Sequence, residues 1–133
     1  MGRFQQILLG VLGAVIVVIA LAHVALGPAA IPGGVPGNAT MDSEDRFYAV
    51  FFLAYGVGLL WCTREVERKS SVVYFLAATF FVGGLARLVS MARVGPPHVF
   101  FVVMTALELG VPIAIVLIQR RLDGATTVGR QAN

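Results

Sequence analysis

Four long apolar stretches, separated by short polar or proline-rich segments, set the pattern of the chain: roughly Ile7–Leu26, Phe47–Cys62, Val72–Met91 and Val99–Ile118. A helix needs about 20 mostly apolar residues to cross a bilayer core. Three of the stretches have that length. The second reaches it only if Arg46 and Arg64 lie at the interfaces with their aliphatic stems in the apolar layer. No stretch alternates as a membrane barrel strand does, and all are longer than such a strand of about 10 residues. The pattern predicts an all-α integral membrane protein, a four-helix transmembrane bundle with antiparallel neighbours. Its expected parts are spans near 5–26, 44–63, 71–92 and 98–119, an outer loop over 27–43 and a loose tail over 120–133.

The punctuation between the stretches sharpens this picture. Gly27–Met41 carries Pro28, Pro32 and Pro36 with Gly27, Gly33, Gly34 and Gly37. That density disfavours helix and predicts a chain of turns at the mouth of the bundle. Asp42 or Ser43 is the expected N-cap of the second span, with Glu44 and Asp45 in a first turn whose dipole favours carboxylates. Asp42 and Arg46 stand four apart with the acid first, the favourable order for a helix-surface pair. Thr63–Ser71 is a mixed-charge turn flanked by Trp61 and Tyr74, residues suited to the headgroup layer. Ala92–Pro97 is so short that the last two helices must be antiparallel neighbours. Gly83, Gly84, Ala86 and Ser90, and Ala54 with Gly58, offer small faces for close helix packing.

Composition changes the picture only by closing alternatives. With 133 residues the chain makes one domain. Hydrophobic residues make up 58% and charged ones 13%, against about a quarter charged in soluble domains, which excludes a soluble class. The net charge is +3. Arg3, Arg64, Arg68, Lys69, Arg120, Arg121 and Arg130 fall on one side of the expected membrane, and Arg46 and Arg93 on the other. The excess marks the cytoplasmic side, so both termini are expected there and Asp42, Glu44 and Asp45 face outward. The basic residues sit beside membrane ends, so no nucleic-acid partner is expected. Cys62, the lone cysteine, allows no internal disulfide and no thiolate metal site. Ala20-Leu21-Ala22 resembles a signal cleavage site, but the apolar run continues to Leu26 and an uncleaved first span is the favoured reading. Gly2 invites myristoylation, whereas Gln6 stands where Ser or Thr is required.

Two charges break the apolar runs. Arg87 lies inside the third stretch and Glu108 inside the fourth. Hydrocarbon tolerates neither ion without a partner, a wet cavity or a role. Arg87 falls near the outer surface and Glu108 nearer mid-bilayer, a gap an arginine side chain can cover. The expectation is that Arg87 lies between Glu108 and an outer carboxylate, Glu44 or Asp45. Pro112 is four residues after Glu108 and cannot donate to its carbonyl, so a kink and a free acceptor are expected beside the acid. The combination reads either as an outward polar pocket or as an ion pair that locks the bundle. His23 and His98 both fall on the outer side without the i, i+4 spacing of a zinc motif, and no metal or other cofactor is expected.

Three segments, Asn38-Ala-Thr-Met-Asp42-Ser-Glu-Asp-Arg46-Phe47-Tyr48, Gly83-Gly84-Leu-Ala-Arg87-Leu-Val-Ser90 with Gly95-Pro96, and Leu107-Glu108-Leu with Pro112, carry a resemblance. In that order and spacing the chain resembles a bacterial family of small four-helix membrane proteins catalogued as domain of unknown function 4345. The resemblance implies the four-span architecture in a bacterial inner membrane. It groups Asn38, Asp42, Arg46, Arg87, Ser90 and Glu108 as one set, and it implies no activity.

Three functions fit these residues. The first, and favoured, is a non-enzymatic accessory or binding module that holds a membrane lipid, an amphiphile or a partner helix at a polar network of Arg87, Glu108, Ser90, Asn38, Asp42, Glu44, Asp45 and Arg46. Its partners are a membrane lipid and a partner membrane protein or a second copy of the chain. The second is a small oligomeric transporter in which Glu108 exchanges protons beside the helix break. The third is an enzyme on a lipidic substrate with Glu108 as acid–base, which lacks a second catalytic group.

Overall fold

A computed structural model of the chain describes residues 2–131. Four long helices account for most of it: α1, Gly2–Leu26; α2, Ala39–Cys62; α3, Ser70–Val94; and α4, Val99–Gln131. Short 3-10 turns follow α1 at Gly27–Ala30 and α2 at Thr63–Glu65. All four helices are long and apolar enough to cross a membrane; α2 is the least apolar, with a mean hydropathy of 1.4. Leu9–Trp61 forms one compact unit, and the flanking parts of the chain form another.

Burial departs from that of a soluble fold: the core is mainly apolar, but large apolar side chains also cover the outside and a few polar ones lie within. Phe4, Ile7, Val11, Phe75 and Val82 are exposed, while Gln5, Thr105, Glu108 and Gln119 are buried. Apolar atoms outside and hydrogen-bonding atoms inside is the arrangement that hydrocarbon favours, since polar groups there must be satisfied internally. Among the described residues of α4 the buried ones are Thr105, Glu108, Pro112, Ile115, Gln119 and Leu122, in alternating steps of three and four. That is the narrow seam of left-handed helix pairing. Val73, Leu76, Ala77, Phe80 and Gly84 form the matching seam of α3.

In the Leu9–Trp61 unit, α1 and α2 meet at glycines. A Cβ on Gly13 would come within 2.9 Å of the Gly56 carbonyl oxygen, and one on Gly56 within 2.9 Å of Ile16. The small residues singled out in the sequence lie elsewhere: Ala54, Ala86 and Ser90 are exposed, and nothing stands within 4 Å of a Cβ on Gly83. Gly84, unlike Gly83, lies against a neighbouring helix, because it falls on the buried seam.

Three boundaries differ from expectation. Helix α2 starts at Ala39, not near residue 44, because the Asn38 side chain accepts the Met41 backbone N–H at 3.0 Å and acts as the N-cap. Asp42 and Ser43 therefore lie inside the helix. The loop between α1 and α2 is correspondingly shorter and opens with a 3-10 turn. The expected loose tail is helical through Gln131, and its last two residues lie outside the described part. The cause is visible at Asp123, which accepts from Ser70 and Tyr74 of α3 and draws the end of α4 onto that helix.

Candidate functional site

Gly84 and Arg87 are three residues apart on α3, so the arginine continues the seam one step beyond the glycine. With no side chain, Gly84 lets α4 approach closely: a Cβ there would stand 3.1 Å from the Cβ of Glu108. The next seam position then reaches the carboxylate. Arg87 Nε donates to Glu108 Oε2 over 2.7 Å, a short charge-assisted bond. The two partners are unequally sheltered, with the Glu108 side chain 7% exposed and that of Arg87 41%. The Arg87 guanidinium also lies over the Phe101 ring, 5.3 Å from its centroid, a favourable contact between a cation and an aromatic face.

Glu108 uses one bond of its two oxygens on Nε, and Pro112 lies inside α4 without breaking it. Position 112 has no N–H to give the Glu108 carbonyl, so an acceptor lies beside the acid. Ser90 is exposed and makes no hydrogen bond among the described residues of its unit. It shares the helix with Arg87 but not the contact.

The expected site residues that fall in the Leu9–Trp61 unit form contacts of their own. Arg46 donates through Nε and Nη2 to the Asp42 carboxylate at 2.8 and 3.1 Å. Its Nη1 donates to the carbonyl oxygens of Val24 and Ala25 at 2.6 and 3.1 Å. These carbonyls belong to the last turn of α1, where four acceptors lack helical partners. Arg46 is therefore a cap on α1 aimed by Asp42, a role hidden by its surface-pair spacing. Asp45 engages His23 Nδ1 with both oxygens, at 3.1 and 3.0 Å. Asp42, Asp45 and Arg46 are thus tied up in holding the α1 end against the α2 start, and Asn38 in capping α2. Glu44 is exposed and lines a cavity of about 660 Å³ with Tyr48, Met41 and the proline-rich loop. His98 Nδ1 accepts the Phe100 backbone N–H at the start of α4.

A polar cluster that sequence reasoning missed lies toward the other end of α3 and α4. Gln119 Nε2 is within bonding distance of the Val66 carbonyl, Ser70 Oγ and Asp123 Oδ1, at 3.1, 2.9 and 3.1 Å. Ser70 Oγ and Tyr74 Oη donate to Asp123 at 2.6 and 2.8 Å. Gln5 Nε2 donates to the Ile115 carbonyl at 3.1 Å and to Gln119 Oε1 at 3.3 Å. Gln5 and Gln119 are fully buried. The available signal was their position: Gln119 continues the steps of three and four that begin at Glu108. The cluster joins the start of α1, the turn after α2 and both long helices of its unit. Its hydrogen bonds link the parts of one unit to each other, as a structural clasp does, with Gln5 Oε1 buried and without a hydrogen-bond partner among the described residues.

No curated protein and no solved structure matches the chain. The family model described as "Domain of unknown function (DUF4345)" matches residues 4–119, a range that holds Arg87, Glu108, Ser90, Asn38, Asp42, Glu44, Asp45 and Arg46. With most of its length matched, the chain belongs to the DUF4345 family.

Proposed function

We propose that this protein is a non-enzymatic binding or accessory module of the bacterial inner membrane. Its site is the Arg87–Glu108 pair, and its ligand is a membrane lipid, an amphiphile, or a helix of a partner protein or of a second copy. The carrying observation is the asymmetry of that pair: a buried carboxylate on α4 holds an arginine that is itself nearly half exposed. A pair that served only as glue would satisfy both members inward. Here the acid is sheltered and the base is presented.

Four antiparallel spans with both termini in the cytoplasm complete the reading. Contacts between the last two helices run in opposite chain directions, from Arg87 with Glu108 to Ser70 with Asp123, which supports antiparallel packing. The clustering of basic residues on one side of the spans supports the orientation.

The test is mass spectrometry of lipids and small molecules that copurify with the chain from gentle detergent. The wild type should carry a species that Arg87→Ala and Glu108→Ala both lose. If neither a lipid, a small molecule nor a protein is recovered with the wild type, the binding-module reading fails.

A further inference from the structure

The Arg87 guanidinium has five N–H donors arranged on two usable edges. Glu108 takes the Nε donor, and the Phe101 ring covers one face. Within its unit, the terminal Nη1 and Nη2 atoms have no hydrogen-bond partner among the described residues. Two of their four N–H groups, one on each nitrogen, form the planar edge that faces away from the Nε side where Glu108 binds. Arg87 lies seven residues before the end of α3, roughly 10 Å along the helix. At that depth unsatisfied donors are costly, and an arginine can extend its head toward the interface.

We infer that the Nη1–Nη2 edge of Arg87 is an oxyanion site, and that it takes a phosphate or phosphate-like group through two parallel hydrogen bonds. This rests on the binding-module reading and specifies what the module holds. The fork matches two oxygens of a tetrahedral anion, a geometry that lysine cannot copy. Glu108 serves as the positioning residue. Its bond to Nε fixes the plane of the guanidinium, and Phe101 limits rotation out of that plane, so little order is lost when the anion arrives. Glu108 also excludes cationic ligands, because its one sheltered carboxylate is already committed to Arg87. The anion can be carried by a lipid headgroup or arrive as free phosphate from water.

The experiment uses the full chain in maltoside micelles, which contain no phosphate, and reads bound species by native mass spectrometry. Three probes are added separately: phosphatidic acid, diacylglycerol with the same acyl chains, and inorganic phosphate. The wild type should retain phosphatidic acid over diacylglycerol by about tenfold or more, the scale of charge-assisted bonds gained by the phosphate alone. Arg87→Gln should reduce the two lipids to parity, and Arg87→Lys should lose most of the preference while keeping the charge. Circular dichroism checks that the variants stay helical. If Arg87→Gln does not fold, Arg87→Lys and the wild-type comparison carry the test.

Millimolar inorganic phosphate that binds alone and displaces the lipid supports the site with an aqueous source. Failure to displace it supports a headgroup source. Equal retention of phosphatidic acid and diacylglycerol by the wild type overturns the inference, as does a preference that survives in Arg87→Gln. If a neutral lipid is held in a Glu108-dependent way, the oxyanion assignment fails while the binding module stands. If nothing is held, both fail.

Discussion

Glu108 lies almost fully enclosed on α4, and Arg87 of α3 reaches it with a single 2.7 Å bond through Nε. Because the shelter is unequal, so are the consequences of removing each partner. Arg87→Ala leaves a buried carboxylate without its cation and should cost about 3 kcal/mol, at the low end for a broken buried pair because the arginine is partly exposed. Glu108→Gln keeps a carbonyl acceptor for Nε and should cost about 1 kcal/mol. Reversible unfolding in mixed micelles, followed by circular dichroism, gives the ranking. An equal loss in both variants would show that the acid is not the sheltered member.

Close helix approach depends on particular glycines, and the contacts rank them. Gly13→Ala drives a Cβ to 2.9 Å from the Gly56 carbonyl oxygen, a backbone atom that cannot step aside. The expected loss is about 1–3 kcal/mol of overpacking. Gly84→Ala first meets the Leu109 side-chain tip at 2.9 Å, which can turn, and then the Glu108 Cβ at 3.1 Å. It should be milder in stability but should disturb the Arg87–Glu108 pair. Gly83→Ala meets nothing within 4 Å and should be neutral, or more stable by up to about 1 kcal/mol through helix propensity. Thermal unfolding of the three variants side by side decides the order. A Gly83→Ala variant as damaged as Gly13→Ala would contradict it.

Where α1 ends and α2 begins, Asn38 and Arg46 act as caps. Asn38→Ala removes the acceptor for the Met41 N–H and should cost about 1 kcal/mol. Arg46→Gln releases the Val24 and Ala25 carbonyls, and the last turn of α1 should fray. Amide hydrogen exchange there should quicken by about tenfold, corresponding to the loss of one charge-assisted bond. Exchange limited to α2, with α1 unchanged, would show that Arg46 does not cap the first helix.

These cases also show what a sequence discloses in a membrane chain. The four helices are legible because length and hydropathy alone decide them, and Arg87 and Glu108 stand out because hydrocarbon makes an ion conspicuous. The pairing of Asp42 with Arg46 follows from their spacing. The α2 start is misplaced because Asp42, Ser43 and Glu44 advertise a cap more loudly than Asn38, whose role depends on where the loop happens to turn. The second partner of Arg46, a pair of α1 carbonyls, cannot be read from spacing, since backbone acceptors leave no mark in the sequence. Gln5 and Gln119 escaped notice because an uncharged amide near a helix end looks like an interfacial residue. Only the three-and-four stepping from Thr105 to Leu122 distinguishes a buried amide from an exposed one.

The same stepping explains the ordered end of α4 and yields a further prediction. Beyond Ile118 the chain is polar, so nothing in hydropathy requires a helix there. Asp123 supplies the reason: it accepts from Ser70 and Tyr74 of α3 and from Gln119 one turn earlier. Asp123→Ala removes the shared acceptor: Tyr74 Oη loses the carboxylate it donates to, whereas Ser70 Oγ keeps the Glu67 carbonyl and Gln119 keeps the Val66 carbonyl. The segment after residue 120 should then loosen while the span before it persists. Protease cleavage near Arg120 and Arg121 should accelerate by about tenfold or more, as expected when an ordered segment becomes largely open. Gln119→Leu should act differently. It strips a partner from the Val66 carbonyl and from Gln5 and destabilises the unit as a whole, by about 1–3 kcal/mol. If Asp123→Ala lowers global stability without speeding cleavage of the tail, the end of α4 is held by something other than its contact with α3.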